Sequence, residues 1–480
     1  MGLHDRMDAD DVQDDGVPWK AATARLPIYA EARQQLASFQ EPVLLHADNP
    51  HERLFVAALD GTGNDMIHDP DHITNVGLVV RQIRDLNAAG NDRVRAGYVP
   101  GPGTQQHAFF ARVWDDMTGY TVDERAEEMY KQFIDQAKLW LRDDPHARIR
   151  VAGIGFSRGA EEVALFTRIV EERGIQDRDG AHYTYDSHHH ITHIEYTKPA
   201  LVGAHEVAQA VALFDPVGTG HAMHEDRRLP PSVISGIQFI ALDEHRSLFK
   251  SDRIIDPGIT PDGRFAGVYV PGAHSDVGGG YHRDGLSIHT GNFVIDYVNG
   301  LSDRPILEKI PEPDDPRFQV IHRSEDGMLL YRIAPKIDRL EPGGYNELEV
   351  PRREKHHVPD PYNAAPRSEV LSRQFERQPM PNGPLPDAPA RRAGTAPSEL
   401  DQWIDRMYRA SQHPDNAVWD QACHGAAQEY LCTPDGRQFQ QQADAFNIGW
   451  DAQLQTQLRE QAAQQALQPP MQQGAQGFSR

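Results

Sequence analysis

The stretch Gly155-Phe156-Ser157-Arg158-Gly159 sets one serine between two glycines, where the apolar run 149–155 gives way to the helical pattern "AEEVALFTRIVEE". A serine hydroxyl is a poor nucleophile until a neighbouring base removes its proton. It must also stand clear of the backbone to reach a substrate. A strand–turn–helix with the spacing G-x-S-x-G meets both needs: the glycines let strand and helix approach, and the helix N-terminus offers N–H groups to a developing oxyanion. The bare pattern is weak, because a chain with 39 glycines in 480 residues carries it by chance roughly one time in ten. Its setting, a β run before and a helical run after, is what points to nucleophilic catalysis at Ser157.

A serine nucleophile needs a base and an acid, and on a sheet of this kind they follow in the order Ser, acid, His. Of the 24 histidines, His274 in "FAGVYVPGAHSDVGGGY" is best placed, four residues beyond a buried run and inside a glycine-rich loop. His245 in "LDEHRSLF" is a weaker rival. Three aspartates could orient the base: Asp215 ends "AVALFD", Asp243 ends "GIQFIALD", and Asp276 lies two residues past His274. Spacing does not choose among them. Asp60-Gly61-Thr62, at the end of "FVAALD", stands where an oxyanion-hole loop belongs, so the donors expected are the backbone N–H of Arg158 and one from Gly61 or Thr62. The same residues evoke the D-x-D-G-T of aspartyl-phosphate phosphatases. That chemistry requires a carboxylate two residues before Asp60, and Ala58 stands there.

The elements that must hold these groups follow from hydrophobic periodicity. Residues 53–59, 148–155, 210–215, 236–242 and 265–270 read as buried strands, and 74–90 and 123–144 as amphipathic helices. Strands alternating with helices predict a mostly parallel sheet covered on both faces, an α/β class. The segmentation expected is an N-terminal piece over 1–50, an α/β-hydrolase domain over 51–300, a Pro/Arg-rich excursion and linker over 301–396, a helical accessory module over 397–467, and a Gln-rich, disordered tail over 468–480. The insertion "DRDGAHYTYDSHHHITHIEY" breaks the pattern. Its histidines, among them His182, His188, His189, His190 and His193, alternate faces in a strand and lack cysteine or dense carboxylate company, so an insertion over the active site is expected rather than a metal site. Gly278-Gly279-Gly280 is not followed by a P-loop lysine and reads as a tight loop presenting His274.

A hydrophobic content of 39% supports a sizeable core, and the net charge of −23 argues against nucleic acid. The only cysteines, Cys423 and Cys432, make neither a disulfide framework nor a structural zinc site, which suits a reducing compartment. The acidic opening "MGLHDRMDADDVQDDG" has no apolar stretch, so no signal peptide is expected. Synthesis in the cytoplasm, and export if any by another route, follow.

In order, "LDGTGN", "TNV", "YVPGPGT", "GFSRGA", "LFDPVG", "LDEHRSLF" and "PGAHSDVGGGY" resemble the α/β-hydrolase domain of the type VI secretion lipase effectors of the first Tle subfamily. The resemblance covers about residues 52–285. It implies an antibacterial phospholipase A or related lipid esterase that uses no cofactor. It puts the nucleophile on Ser157, the acid on Asp215 and the base on His274. It also implies a lipid-ester substrate met at a membrane surface, a secretion-apparatus partner, a cognate immunity protein, and delivery by a type VI or type IV system. Pro216 replaces the family's threonine after the aspartate and Gly63 its usual aromatic after "DGT"; Gly63 and the His-rich insertion bear on substrate preference. More weakly, the C-terminal module resembles recruitment domains of type IV-secreted antibacterial effectors. Other classes consistent with the residues are a cytoplasmic esterase or thioesterase and a non-catalytic binding module on the same fold.

Overall fold

Seven strands make the central sheet of the computed structural model, which describes residues 12–101, 121–185, 191–218, 226–327, 329–348 and 364–386. They are β1 (Glu52–Leu59), β2 (Val94–Val99), β3 (Arg148–Phe156), β4 (Gln209–Phe214), β5 (Val233–Ala241), β6 (Gly258–Ile259) and β7 (Phe265–Val270). Their order across the sheet is β6-β7-β5-β4-β3-β1-β2. All neighbours run parallel except the short edge strand β6, which is antiparallel to β7. The mostly parallel sheet with covering helices is the α/β-hydrolase architecture expected. The expected strands lie within a residue or three of β1, β3, β4, β5 and β7. Strand β2 is an addition: "VRAGYV" is short and broken by Arg95 and Gly97, and only pairing with β1 makes it a strand.

The sheet is buried on both faces because its strands are apolar almost without alternation. In β1, Leu54, Val56 and Ala58 face one core, while Phe55, Ala57 and Leu59 face the other. Helices α1 (Asn75–Ala88) and α5 (Gly285–Gly300) cover the first face, through Val76, Val80 and Ile83 and through Phe293, Tyr297 and Val298. Helices α2 (Thr121–Asp143) and α3 (Arg158–Arg173) cover the second, through Met129, Phe133 and Trp140 and through Val163, Phe166 and Val170. A fifth helix, α4 (His274–Gly278), is a single turn beyond β7.

Residues on either side of this frame join the same core. Ala22, Tyr29, Leu36, Phe39 and Leu44 from the N-terminal piece pack into the first cluster, and so do Leu307, Ile321, Leu371, Phe375 and Met380 from the Pro/Arg-rich stretch. Trp19–Ala21 pairs with Val320–His322, and Gln40–Pro42 with Arg377–Pro379, both antiparallel. The His-rich insertion is an antiparallel hairpin, Ala181–Tyr185 with Ile191–Tyr196. Its residues His188 to His190 lie outside the described residues. The chain divides into the units Met1–Pro389 and Ala390–Arg480. The expected accessory module and tail fall in the second, outside the described residues. Among the described residues, no helix is long and apolar enough to cross a membrane.

Candidate active site

Strands β3 and β4 end in register, Phe156 beside Phe214. The next residue of each, Ser157 and Asp215, therefore leaves the C-terminal edge of the sheet at the same level. Here Ser157 N donates to Phe214 O (3.0 Å), and Val217 N donates to Ser157 O (3.4 Å). Ser157 has φ 58° and ψ −124°, outside the regular regions of an L-residue. Such a conformation costs on the order of 1–3 kcal/mol and persists only where surrounding structure imposes it. The flanking glycines permit it. A Cβ on Gly155 would stand 2.4 Å from the Gly159 carbonyl oxygen, and one on Gly159 would stand 2.2 Å from Leu59 O. Any side chain at either position would push helix α3 off the strands.

Asp215 also has positive φ, 40°, a conformation aspartate tolerates better than most residues. Its carboxylate is wholly buried and accepts four hydrogen bonds. Oδ1 takes Ala241 N (3.0 Å) and Arg339 Nη1 (2.6 Å); Oδ2 takes His274 Nδ1 (2.6 Å) and Arg339 Nη2 (3.1 Å). Burial pushes this carboxyl up, but Arg339 and His274 outweigh burial and hold it at about 2.

His274 begins α4 and is held from three sides. Its backbone N–H donates to Glu244 Oε2 (3.3 Å). The Phe156 ring lies over its imidazole at 4.7 Å, and the Phe249 ring meets it edge-on at 5.3 Å. The motif "LDEHRSLF" builds this wall. Glu244 takes a two-pronged bond from Arg246 (2.9 and 2.7 Å), and the Arg246 guanidinium sits 3.5 Å over the Phe249 ring. Burial pushes the Glu244 carboxyl up, yet Arg246 holds it below its ordinary value.

The other two aspartates are engaged elsewhere. Asp243 accepts from Gly272 N (3.0 Å) and Arg25 Nη2 (3.3 Å), with Lys20 Nζ at 3.6 Å. Asp276 accepts from Ala273 N (2.8 Å), His322 N (2.9 Å) and His322 Nδ1 (2.5 Å). His245 Nδ1 lies 2.9 Å from Ile337 O, away from any carboxylate. Of the three candidate acids, the structure brings only Asp215 to His274.

Beside the serine, the loop after β1 is tied down by Asp60. This buried carboxylate accepts from Gly61 N (2.9 Å), Thr74 Oγ1 (2.9 Å) and Tyr98 Oη (2.9 Å), and burial raises it to about 6 in spite of those bonds. Thr74 also caps α1 by accepting from Gly77 N. Because Asp60 takes up the Gly61 N–H, Thr62 and Arg158 are the expected oxyanion donors that remain. Their side chains meet, Arg158 Nε donating to Thr62 Oγ1. Among the described residues no cluster of His, Cys, Asp or Glu is arranged to hold a metal ion.

Sequence reasoning missed Arg339, Asp60 as an anchor, and the Phe156 and Phe249 walls. Arg339 sits in the polar stretch "KIDRLEPGG", 124 residues from its partner, and no periodicity or motif marks it.

A strained serine at a strand–helix elbow, with a buried Asp–His pair at the same sheet edge, defines an α/β-hydrolase. The chain belongs to the family of Tle1-like phospholipase effectors of type VI secretion, whose catalytic-domain model matches residues 53–201 and 188–303. No curated protein matches it. Among solved structures it is similar to an uncharacterized protein from Pseudomonas aeruginosa (16% identity, 93% of this chain and 63% of that one, TM-score 0.35). It is also similar to the Tle1 effector bound to the VgrG spike of the type VI secretion system (17%, 48% and 51%, TM-score 0.28). A third similar structure is esterase 2 of Thermogutta terrifontis phosphorylated by paraoxon (13%, 62% and 99%, TM-score 0.27). These likenesses are remote, and the chain spans less than two thirds of the first two structures.

Proposed function

We propose that the protein is a serine hydrolase that cleaves carboxyl esters of phospholipids, in the manner of a phospholipase A, and that it serves as an antibacterial effector delivered by a type VI apparatus. The observation that carries the reading is the buried Asp215–His274 pair at the sheet edge where Ser157 stands strained. In this reading Ser157 Oγ attacks the acyl carbonyl while His274 takes its proton through Nε2. Asp215, fixed on Nδ1, holds the tautomer that leaves Nε2 free and stabilises the imidazolium. The N–H groups of Arg158 and Thr62 receive the oxyanion. His274 then returns the proton to the leaving alkoxide, and water releases the acyl group by the same steps in reverse.

Family membership supports a lipid substrate and a secretion-apparatus partner, and an immunity protein in the producing cell completes the proposal. The test is hydrolysis of phosphatidylethanolamine and phosphatidylglycerol vesicles beside a short-chain soluble ester. Fatty acid and lysophospholipid release that Ser157→Ala abolishes supports the reading. Ester cleavage confined to the soluble substrate would place the protein among general esterases, and activity surviving in Ser157→Ala would remove the mechanism.

A further inference from the structure

Arg339 lies outside the matched catalytic domain, which ends at residue 303. Even so, its guanidinium is fully buried and reaches both oxygens of Asp215 (2.6 and 3.1 Å) and the carbonyl of Phe249 (2.6 Å). With no exposed surface it has no route to substrate, so whatever it does passes through these two partners. Both bear on His274: Asp215 bonds to Nδ1, and the Phe249 ring packs edge-on against the imidazole. Arg339 is also held from its own side. Ile337 N donates to His245 O (2.9 Å), His245 Nδ1 lies 2.9 Å from Ile337 O, and the backbones at Arg246 and Lys336 pair antiparallel. The chain just before Arg339 is thus pinned to the His245 loop, and Phe249 O holds the guanidinium on a side away from the carboxylate, which favours a preorganised fork.

We infer that Arg339 is a positioning residue of the triad: its planar fork fixes the Asp215 carboxylate with Oδ2 facing His274 and keeps that carboxylate charged in a site without solvent. The inference rests on the Ser157–His274–Asp215 reading above. A buried carboxylate without a cation tends to take up a proton, and a protonated Asp215 could no longer stabilise an imidazolium. The charged groups facing Asp215 are few. His274 and Arg339 touch it. Glu244, paired with Arg246, stands behind the His274 backbone. On the side of the turn, Asp252 donates its backbone N–H to Pro216 O, and its side chain is paired with Arg227, which also holds Glu161. Arg339 is thus the only arginine or lysine among the described residues to bond Asp215 directly. Its loss takes a cation away from the hydrogen-bonded Asp215–His274 pair, so the pair takes up its proton at a higher pH and the acidic limb of activity, which reports the pair as a whole, moves up.

The test is the pH profile of kcat/KM on a soluble short-chain ester, using the full chain. Arg339→Met should move the acidic limb upward by roughly 1 to 3 pH units and lower the plateau kcat by ten- to a hundredfold or so, with KM little changed. Arg339→Lys keeps the charge and loses the fork. It should leave the limb near its wild-type place and still lower kcat several-fold. In Asp215→Asn, adding Arg339→Met should cost far less than it does in the wild type, because only the Phe249 contact is then left to lose. A folded Arg339→Met with an unmoved limb overturns the inference. If that variant does not fold, Arg339→Lys with wild-type kcat overturns it. Ser157→Ala in the same assay separates the two layers: if it is active, the underlying hydrolase reading falls, whereas if it is dead and the Arg339→Met limb is unmoved, only the role of Arg339 falls.

Discussion

His322 is wholly buried between two carboxylates, with Nδ1 2.5 Å from Asp276 and Nε2 3.1 Å from Asp15, and the Tyr281 ring stacks on it at 3.8 Å. Burial pushes its imidazole down, but Asp276 and Asp15 outweigh burial and raise it from 6.5 to about 9. A group whose folded value is raised stabilises the fold fully below its unfolded value and loses that contribution as the pH rises through the folded one. The interval from 6.5 to about 9 corresponds to roughly 3 kcal/mol, on the order of 4 °C in Tm for a unit of this size. The perturbation is His322→Gln, which fills similar space and carries no charge. The assay is thermal unfolding of wild type and variant at about pH 6.5 and about pH 9.5. The gap between them should be widest at the lower pH and shrink by about 4 °C at the higher. A gap that stays constant across that window refutes the reasoning, since the charge on His322 would then contribute nothing. The effect also reaches the catalytic loop. Asp276 caps the turn that presents His274 by accepting from Ala273 N, so His322→Gln should also lower kcat on a soluble ester.

Asp215→Asn should cut turnover on the order of 10⁴-fold by favouring the wrong imidazole tautomer, while Asp243→Asn, which loosens only the Gly272 loop and the Arg25 contact, should cost far less; reversed ranking in steady-state kinetics counts against Asp215 as the acid. Gly278→Ala should lower both Tm and kcat, because its Cβ would stand 2.2 Å from the Phe156 ring that packs on His274; unchanged values on both readouts would show that the ring yields without consequence. A chain ending at Pro389, the boundary of the first unit, should hydrolyse soluble esters at close to the full-length rate, whereas one ending at residue 303 should fail to fold, because it loses Leu307, Ile321, Leu371, Phe375 and Met380 from the core. A cooperative thermal transition and ester cleavage in the shorter chain would show that the 304–389 stretch is needed for neither the core nor the site.

Much of the frame was legible because parallel strands buried on both faces leave continuous apolar runs, and because G-x-S-x-G has a steric reason to sit where β3 meets α3. Asp215 was harder. Three aspartates stood at strand ends or beside the base, and only the register of β3 with β4, together with the φ of 40° at Asp215, brings one of them to His274. What the sequence hid are long-range polar contacts. Arg339 reaches back 124 residues, Asp15 meets His322 across 307, and Asp60 gathers Thr74 and Tyr98 from two separate elements. A charged residue in a polar stretch looks the same whether it ends in water or buried against a carboxylate, so no period or motif records it. The Pro/Arg-rich stretch, read as an excursion and linker, and the N-terminal piece have scattered apolar residues with no period to show where they pack, yet Tyr29, Leu36, Ile321 and Phe375 join the sheet's own core.

The most direct measurement is covalent capture of the nucleophile. The full chain is incubated with a fluorophosphonate that phosphonylates activated serines with loss of fluoride, digested, and mapped by mass spectrometry. The account predicts a single stoichiometric adduct on Ser157, absent in Ser157→Ala and formed orders of magnitude more slowly in His274→Ala, which lacks the base. Lipid hydrolysis by a chain whose Ser157 stays unlabelled, or labelling at Ser157 that proceeds as fast without His274, would contradict it.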